Sequence, residues 1–149
     1  MKLEIKHLAP YLPYFLKVQH TTFIEFGKTA ERVDYLDCLS SECATFDSYM
    51  DYYFDVDDNE CEIKPILRPL SDLTKEIEHN GEKFVPIEWF EEKYYTLDLH
   101  KQCLRLLEED GGNWINQSDY MLVQHLIEWH FDIFGLIENN LATDINTIR

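Results

Sequence analysis

The chain has 149 residues, of which 45% are hydrophobic and 14% aromatic, which is enough for one domain with a sizeable core. Its 29 acidic and 13 basic residues give a net charge of −16, which disfavours direct binding to nucleic acid or to an anionic membrane. Because no stretch has the length and apolarity of a membrane span or of a signal peptide, we expect one soluble domain, 1–149, in the cytoplasm.

Three stretches of the first half predict β-strands. Residues 16–26 carry apolar or β-branched side chains at alternate positions, which is typical of a strand with one buried face. Residues 31–39 and 61–70 predict two further strands. Pro65 cannot donate a ladder hydrogen bond, so it moves the last of these towards a sheet edge or a bulge.

The second half predicts helices. Ser71 as N-cap and Gly81 just past the end predict a short helix over DLTKEIEHN (72–80) between them, and Pro86 at a first turn predicts the next one. A further helix, ended by Gly111 and Gly112, has an apolar face. That face consists of Leu99, Cys103, Leu106 and Leu107.

Ser118 is the expected cap of the last long helix, which runs from Asp119 to about Phe131. Strands precede helices along the chain, and this order favours an α+β fold over alternating βαβ units. We therefore expect a small N-terminal antiparallel sheet packed against C-terminal helices.

The stretch HLIEWH (125–130) invites comparison with zinc-binding motifs. On a helix His125 and Glu128 share a face, whereas His130 lies about 140° away from His125, so the three cannot hold one ion. The helical period instead predicts a core stripe with ordinary histidines beside it. That stripe consists of Leu122, Leu126, Trp129 and Ile133.

Other motifs give no metal, cofactor or catalytic residue. The cysteines lack the paired spacing of a zinc site and are expected as reduced thiols. DVDDN (55–59) begins like a calcium loop, but Glu60 and Ile66 stand where that loop needs Gly and Glu. A catalytic pair assembled by tertiary contacts stays open, because such sites are recognised by geometry.

The distinctive feature is the acidic-aromatic segment, residues 45–60. It lies in a window, 35–62, that has nine acidic residues and no Lys or Arg. Carboxylates interleaved with aromatic rings could imitate the phosphates and bases of a nucleic acid and so be attracted to a basic channel. The alternative is an ordinary strand and turn, with rings facing the core and aspartates facing water.

On the binding interpretation, the segment and its flank supply both charge and anchors to a basic partner protein. Aromatic side chains are the commonest anchors of protein interfaces. The predicted charged residues are Glu42, Asp47, Asp51, Asp55, Asp57 and Asp58. The predicted anchors are Tyr49, Tyr52 and Tyr53.

Three stretches carry a resemblance: LAPYLPYFLKVQ (8–19), KPILRPLSDLTKEIEHNGEKFVPIEWF (64–90) and LIEWHFDIFGLIENNLATDINTI (126–148). In them the chain resembles small uncharacterised proteins of phages and prophages of the Bacteroidota. The resemblance supplies no catalytic residue. It implies a counter-defence, anti-CRISPR-like protein acting in the host cytoplasm, but no particular target. Among CRISPR enzymes, the distribution of such systems in that phylum makes a type VI RNA-targeting effector the first target to consider.

We therefore expect a non-enzymatic protein that binds and inhibits a host nucleic-acid-handling defence protein. Two alternatives stay open. One is a phage housekeeping or assembly protein that forms a small homo-oligomer through an apolar helix face with Trp89, Phe90, Trp114 and Trp129. The other is a hydrolase or nuclease with a carboxylate-bound metal.

Overall fold

The computed structural model describes residues 1–23, 25–55, 61–108 and 114–148. Its contacts divide the chain into two compact units, which we name by their content. The sheet unit is Met1–Leu67 with Leu136–Arg149, and the helical unit is Arg68–Gly135. The predicted α+β fold is confirmed, with the main sheet N-terminal and the longer helices towards the C-terminus. That the chain forms a single domain stays a prediction.

The strands and helices of the described residues are numbered in chain order. The strands are β1 (Lys17–Phe23), β2 (Thr29–Leu39), β3 (Cys43–Phe46), β4 (Asp51–Tyr53), β5 (Cys61–Leu67), β6 (Ile77–His79), β7 (Glu82–Phe84) and β8 (Thr143–Asp144). The α-helices are α1 (Ile5–Leu8), α2 (Pro86–Lys93), α3 (Leu99–Leu106) and α4 (Tyr120–Glu128). None of the helices in the described ranges has both the length and the apolarity needed to cross a membrane.

The sheet unit is built on a six-stranded sheet with the order β4-β3-β2-β1-β5-β8. The predicted strands at 16–26, 31–39 and 61–70 are confirmed as β1, β2 and β5, with shifted ends. Neighbours are antiparallel except β5 and β8, which are parallel. Pro65 stays in register with Val18 on β1, and pairing with β8 begins only at Ile66. The proline is therefore the last residue of β5 that pairs with β1 and precedes the two that pair with β8.

The two faces of the sheet differ because side chains alternate along each strand. We call them the covered face and the open face. The covered face carries the buried side chains Val18, His20, Asp34, Leu36, Ala44, Phe46 and Ile63. Leu8, Tyr11 and Leu16 add fully buried side chains to the core of this unit. The open face carries exposed or half-buried residues, and the candidate surface lies on it.

In the helical unit, the predicted helix over 72–80 is wrong. Leu70–Thr74 forms a short 3-10 turn, and β6 and β7 form an antiparallel hairpin after it. Asn80 and Gly81 have φ angles of +52° and +82° and make the turn of this hairpin. An Asn-Gly pair favours such a turn, because both residues tolerate positive φ. Gly81, which was predicted to follow the end of a helix, thus lies in the turn of a hairpin.

The remaining helices follow the predictions more closely. Pro86 begins α2, and the face of α3 is buried at Leu99, Cys103 and Leu106. The cap of α4 differs from the prediction: the side chain of Asp119, and not that of Ser118, accepts a hydrogen bond from the Met121 amide. The helix ends at Glu128, three residues earlier than expected. The predicted core stripe of Leu122, Leu126, Trp129 and Ile133 is buried throughout.

Candidate partner-binding surface

Residues 45–55, the described part of the acidic-aromatic segment, belong to a hairpin at the edge of the sheet. β3 and β4 pair antiparallel, and the turn between them closes with a 3.0 Å hydrogen bond from the Phe46 amide to the Met50 carbonyl. Tyr49 lies at the tip of the turn with a φ of +63°, and 92% of its surface is exposed. The turn therefore presents one aromatic ring to solvent.

A buried polar group fixes this turn from the covered face. Ser48 Oγ donates a 2.7 Å hydrogen bond to Asp34 Oδ2, and His20 Nε2 lies 2.5 Å from the same oxygen. Burial by itself would raise the pKa of Asp34, but the hydrogen bonds from Ser48 and His20 and the charges of His20 and Arg32 hold it below its usual value. The charged carboxylate thus ties the turn to β1 and β2.

Ser48, Asp34 and His20 are the residue types of a hydrolytic triad, but their order differs from one. In a triad the histidine stands between the serine and the aspartate and takes the proton of the hydroxyl. Here the carboxylate stands in the middle and contacts both other side chains through one oxygen. The carboxylate, and not the histidine, accepts the hydrogen bond of the serine, and this contact orients the turn.

The open face of the hairpin carries a row of polar and aromatic side chains. Thr45 is in register with Asp51, and Thr45 Oγ1 donates a 2.9 Å hydrogen bond to the Asp51 carboxylate. Tyr53 is in register with Cys43 on the same face, and 46% of its surface is exposed. Asp47 accepts a 3.0 Å hydrogen bond from the Tyr35 amide, which holds its carboxylate at the end of β3.

The other end of the hairpin holds the remaining described carboxylates. The Phe54 amide donates to the Glu42 carbonyl, so Glu42 and Asp55 flank the base of the hairpin. Asp55 pairs with Lys2 at 3.0 Å, and both side chains are exposed. Glu42, Asp47 and Asp51 form no ion pair with any residue in the described ranges. The predicted Asp57 and Asp58 lie outside the described residues.

Tyr52 is the one described member of the predicted set that points to the other face. It is in register with Ala44, and its ring meets the buried Phe54 ring edge-on with centroids 5.4 Å apart. Burial raises the pKa of its hydroxyl. The ring supports the hairpin from behind and does not share the open face with Tyr49 and Tyr53.

The open face also includes two residues of β2 that sequence reasoning missed. Val33 and Tyr35 are both more than two-fifths exposed and alternate with the buried Asp34 and Leu36. Lys17 lies over the Tyr35 ring, 5.7 Å from its centroid. The alternation in ERVDYLDCL contained this signal, since Val33 and Tyr35 stand two residues apart in a predicted strand and so share one of its faces.

The residues of the alternative interpretations are placed as follows. Phe90 and Trp129 of the proposed oligomer face are buried, with ring centroids 5.3 Å apart, so they face each other within the helical unit.

In HLIEWH, His125 Nδ1 lies 3.3 Å from a Glu128 oxygen, which confirms that these two share a face. Across the described ranges, no three His, Cys, Asp or Glu side chains form a group able to hold a metal ion.

Comparisons with models of protein families, with curated proteins and with solved structures found no match to this chain.

Proposed function

We propose that this chain is a non-enzymatic binding protein that inhibits a nucleic-acid-handling defence protein of a host cell. The binding surface is the open face of the β3–β4 hairpin, and the partner surface is a basic channel or groove that otherwise holds RNA or DNA. The proposed site of action is the host cytoplasm, and the first target to test is a type VI RNA-guided nuclease.

The observation that carries the proposal is the unpaired carboxylate row beside exposed rings. Glu42, Asp47 and Asp51 keep their charge free of ion pairs within the described residues. Each exposed ion pair with a partner would contribute only about 0.2–1 kcal/mol. The carboxylates therefore supply mainly orientation and a faster association rate, and most of the affinity must come from apolar contacts.

Tyr49 and Tyr53 are suited to supply those contacts. An aromatic anchor buried at the centre of an interface contributes about 2 kcal/mol or more. Tyr49 is presented on a turn that Ser48 fixes to Asp34, so the backbone that carries its ring is already ordered before binding. The chain thus combines a long-range negative potential with a preorganised aromatic tip.

The choice of a nucleic-acid-handling partner has two supports. A surface of carboxylates and rings offers a basic channel the same kinds of contact as phosphates and bases, and the net charge of −16 opposes binding to the nucleic acid itself. The resemblance to phage and prophage proteins supports a defence protein as the partner. Both observations are consistent with a protein that occupies the basic channel of its partner and competes there with the guide or target RNA.

The test is an RNA-cleavage assay with a purified type VI effector loaded with guide RNA. The hairpin variant combines Glu42→Lys, Asp51→Lys and Tyr49→Ser, all at exposed positions. A charge-matched control carries Glu91→Lys and Glu92→Lys, exposed on α2 of the helical unit. Wild type and control should inhibit cleavage and be captured with the effector.

The hairpin variant should lose both inhibition and capture while keeping the circular dichroism spectrum and melting temperature of the wild type. Inhibition by the folded hairpin variant at wild-type concentrations would place the binding surface elsewhere. If wild type neither binds nor inhibits the type VI effector, the choice of target is wrong. Capture on other purified RNA-guided nucleases then tests the surface itself.

A further inference from the structure

The helical unit contains a cavity of about 260 Å³ that the proposed function does not use. It is lined by His79, Asn80, Glu82, Phe84, Trp89, His125, Glu128 and Trp129. These residues come from the β6–β7 hairpin, from α2 and from the end of α4. All of them belong to one compact unit.

Three aromatic rings form a corner on one side of this cavity. The rings of Trp89 and Trp129 are nearly perpendicular, at 89°, with centroids 4.9 Å apart. Phe84 lies 4.9 Å from Trp129 and 6.4 Å from Trp89. Aromatic rings attract alkylated ammonium ions through their electron-rich faces, and three such rings line this one cavity.

Carboxylates supply the charge at the same cavity. Glu82 and Glu128 line it, and its described lining includes no Lys or Arg. His125 Nδ1 lies 3.3 Å from Glu128 Oε2 without forming a hydrogen bond, and His125 Nε2 is 3.1 Å from the Tyr94 hydroxyl. Burial, and then the charge of Arg68, lowers the pKa of His79, which keeps this lining residue neutral.

We propose that this cavity binds an organic cation, namely an alkylated ammonium group. Its methyl groups would contact Trp89, Trp129 and Phe84, and its charge would be balanced by Glu82 and Glu128. A metal ion is disfavoured because, in the part of the chain that the structure describes, no three His, Cys, Asp or Glu side chains form a group that could hold one. A neutral apolar ligand would leave the carboxylates without a role.

An alkylated ammonium group occurs both in free metabolites of the choline type and in methylated lysines of proteins. Either would bind weakly, with a Kd of about 1 mM, because a few cation–π contacts and two partly exposed carboxylates are the main contributions. The inference does not rest on the proposed function, since its residues lie outside the sheet unit.

The experiment is an NMR titration of the full-length protein that follows the indole N–H signals of the three tryptophans. Choline and Nα-acetyl-trimethyllysine amide are the charged probes, and 3,3-dimethylbutan-1-ol is the uncharged isostere of choline. Trp114 serves as an internal reference, because it does not line the cavity and Arg105 lies over its ring. Saturable shifts of Trp89 and Trp129 with a charged probe, and binding of the isostere at least about tenfold weaker, are expected.

Glu82→Gln together with Glu128→Gln should weaken binding of the charged probe about tenfold, which corresponds to about 1.4 kcal/mol. Glu91→Gln, on α2 but away from the lining, should leave it unchanged. If the double variant unfolds, the same titration is carried out with the single variant Glu82→Gln, whose position is exposed, and weaker binding of the charged probe is expected. Equal binding of choline and its isostere, shifts confined to Trp114, or no saturable shift with either charged probe would overturn the proposal. Tighter binding of one charged probe identifies the source of the cation.

Discussion

The Ser48–Asp34 hydrogen bond should contribute more to the free energy of unfolding than its place near the surface suggests. Ser48→Ala removes a 2.7 Å hydrogen bond to a buried carboxylate and should destabilise the protein by about 1.5–3 kcal/mol, the range for hydrogen bonds to charged groups. Asp34→Ala also leaves His20 buried without its partner and should cost about 3–5 kcal/mol. Exposed Ser71→Ala is the matched control and should change stability by less than about 0.5 kcal/mol.

The same contact predicts a pH dependence. The pKa of Asp34 is lower in the folded protein than its usual value of 3.8, so the carboxylate binds a proton more readily in the unfolded chain. Its contribution is therefore fully present above pH 3.8 and is lost as the pH falls through the folded value. The Ser48 hydrogen bond is one of the interactions that lower the pKa of Asp34, and Ser48→Ala lacks it. Protonation of Asp34 therefore costs the wild type more stability than it costs the variant, and the difference in unfolding free energy between them should shrink below about pH 4.

Urea unfolding followed by circular dichroism, at several pH values from about 3 to 7, measures both effects. The anchor also holds the turn that presents Tyr49, so Ser48→Ala should weaken capture of the partner protein more than Ser71→Ala does. A Ser48→Ala protein within about 0.5 kcal/mol of wild type at pH 7 would refute this account of the turn. A stability difference that stays constant down to pH 3 would refute the assignment of the pKa shift to the Ser48 contact.

Three further predictions concern single residues. The exposed Cys38 should react with iodoacetamide in the native protein. Cys103 should be alkylated only after unfolding, because burial raises the pKa of its thiol to about 12. Equal alkylation rates of the two cysteines in the native protein, measured by mass spectrometry, would contradict this. Gly81→Ala should cost about 1 kcal/mol of unfolding free energy from its φ of +82° alone, since no atom lies within 4 Å of an added Cβ, and an unchanged urea midpoint would count against the hairpin turn. Asp119→Ala should cost about 1 kcal/mol of unfolding free energy by removing the 2.9 Å cap to Met121, and a variant as stable as wild type would contradict the cap.

The strands with regular alternation could be predicted from the sequence, because each buries one face of a long pairing. β1 and β2 show this pattern, whereas β5 buries the consecutive residues Pro65, Ile66 and Leu67 and so has buried side chains on both faces. The segment 72–80 was not predicted correctly, because Asn80 and Gly81 satisfy both a helix end and a hairpin turn, and only pairing with the next strand decides between them. β8 has two residues and pairs with a strand far away in sequence, so no local pattern could reveal it.

The candidate surface was predictable in composition but not in orientation. The side-chain period of a strand is two, so the register of the short β3–β4 hairpin decides which tyrosines share a face. It places Tyr53 on the open face and Tyr52 on the covered face. The role of Ser48 could not be predicted either, because its partner Asp34 is fourteen residues away on another strand.

The most direct test of the central claim is the salt dependence of binding to a purified type VI effector, measured from about 50 mM to about 500 mM NaCl, where screening of exposed charges becomes strong. For wild type and for Glu91→Lys/Glu92→Lys, the account predicts a Kd that rises by about tenfold or more over this range. For Glu42→Lys/Asp51→Lys it predicts weaker binding at low salt and a nearly flat dependence. Wild-type affinity and salt dependence in that folded variant would contradict the assignment of binding to the hairpin carboxylates.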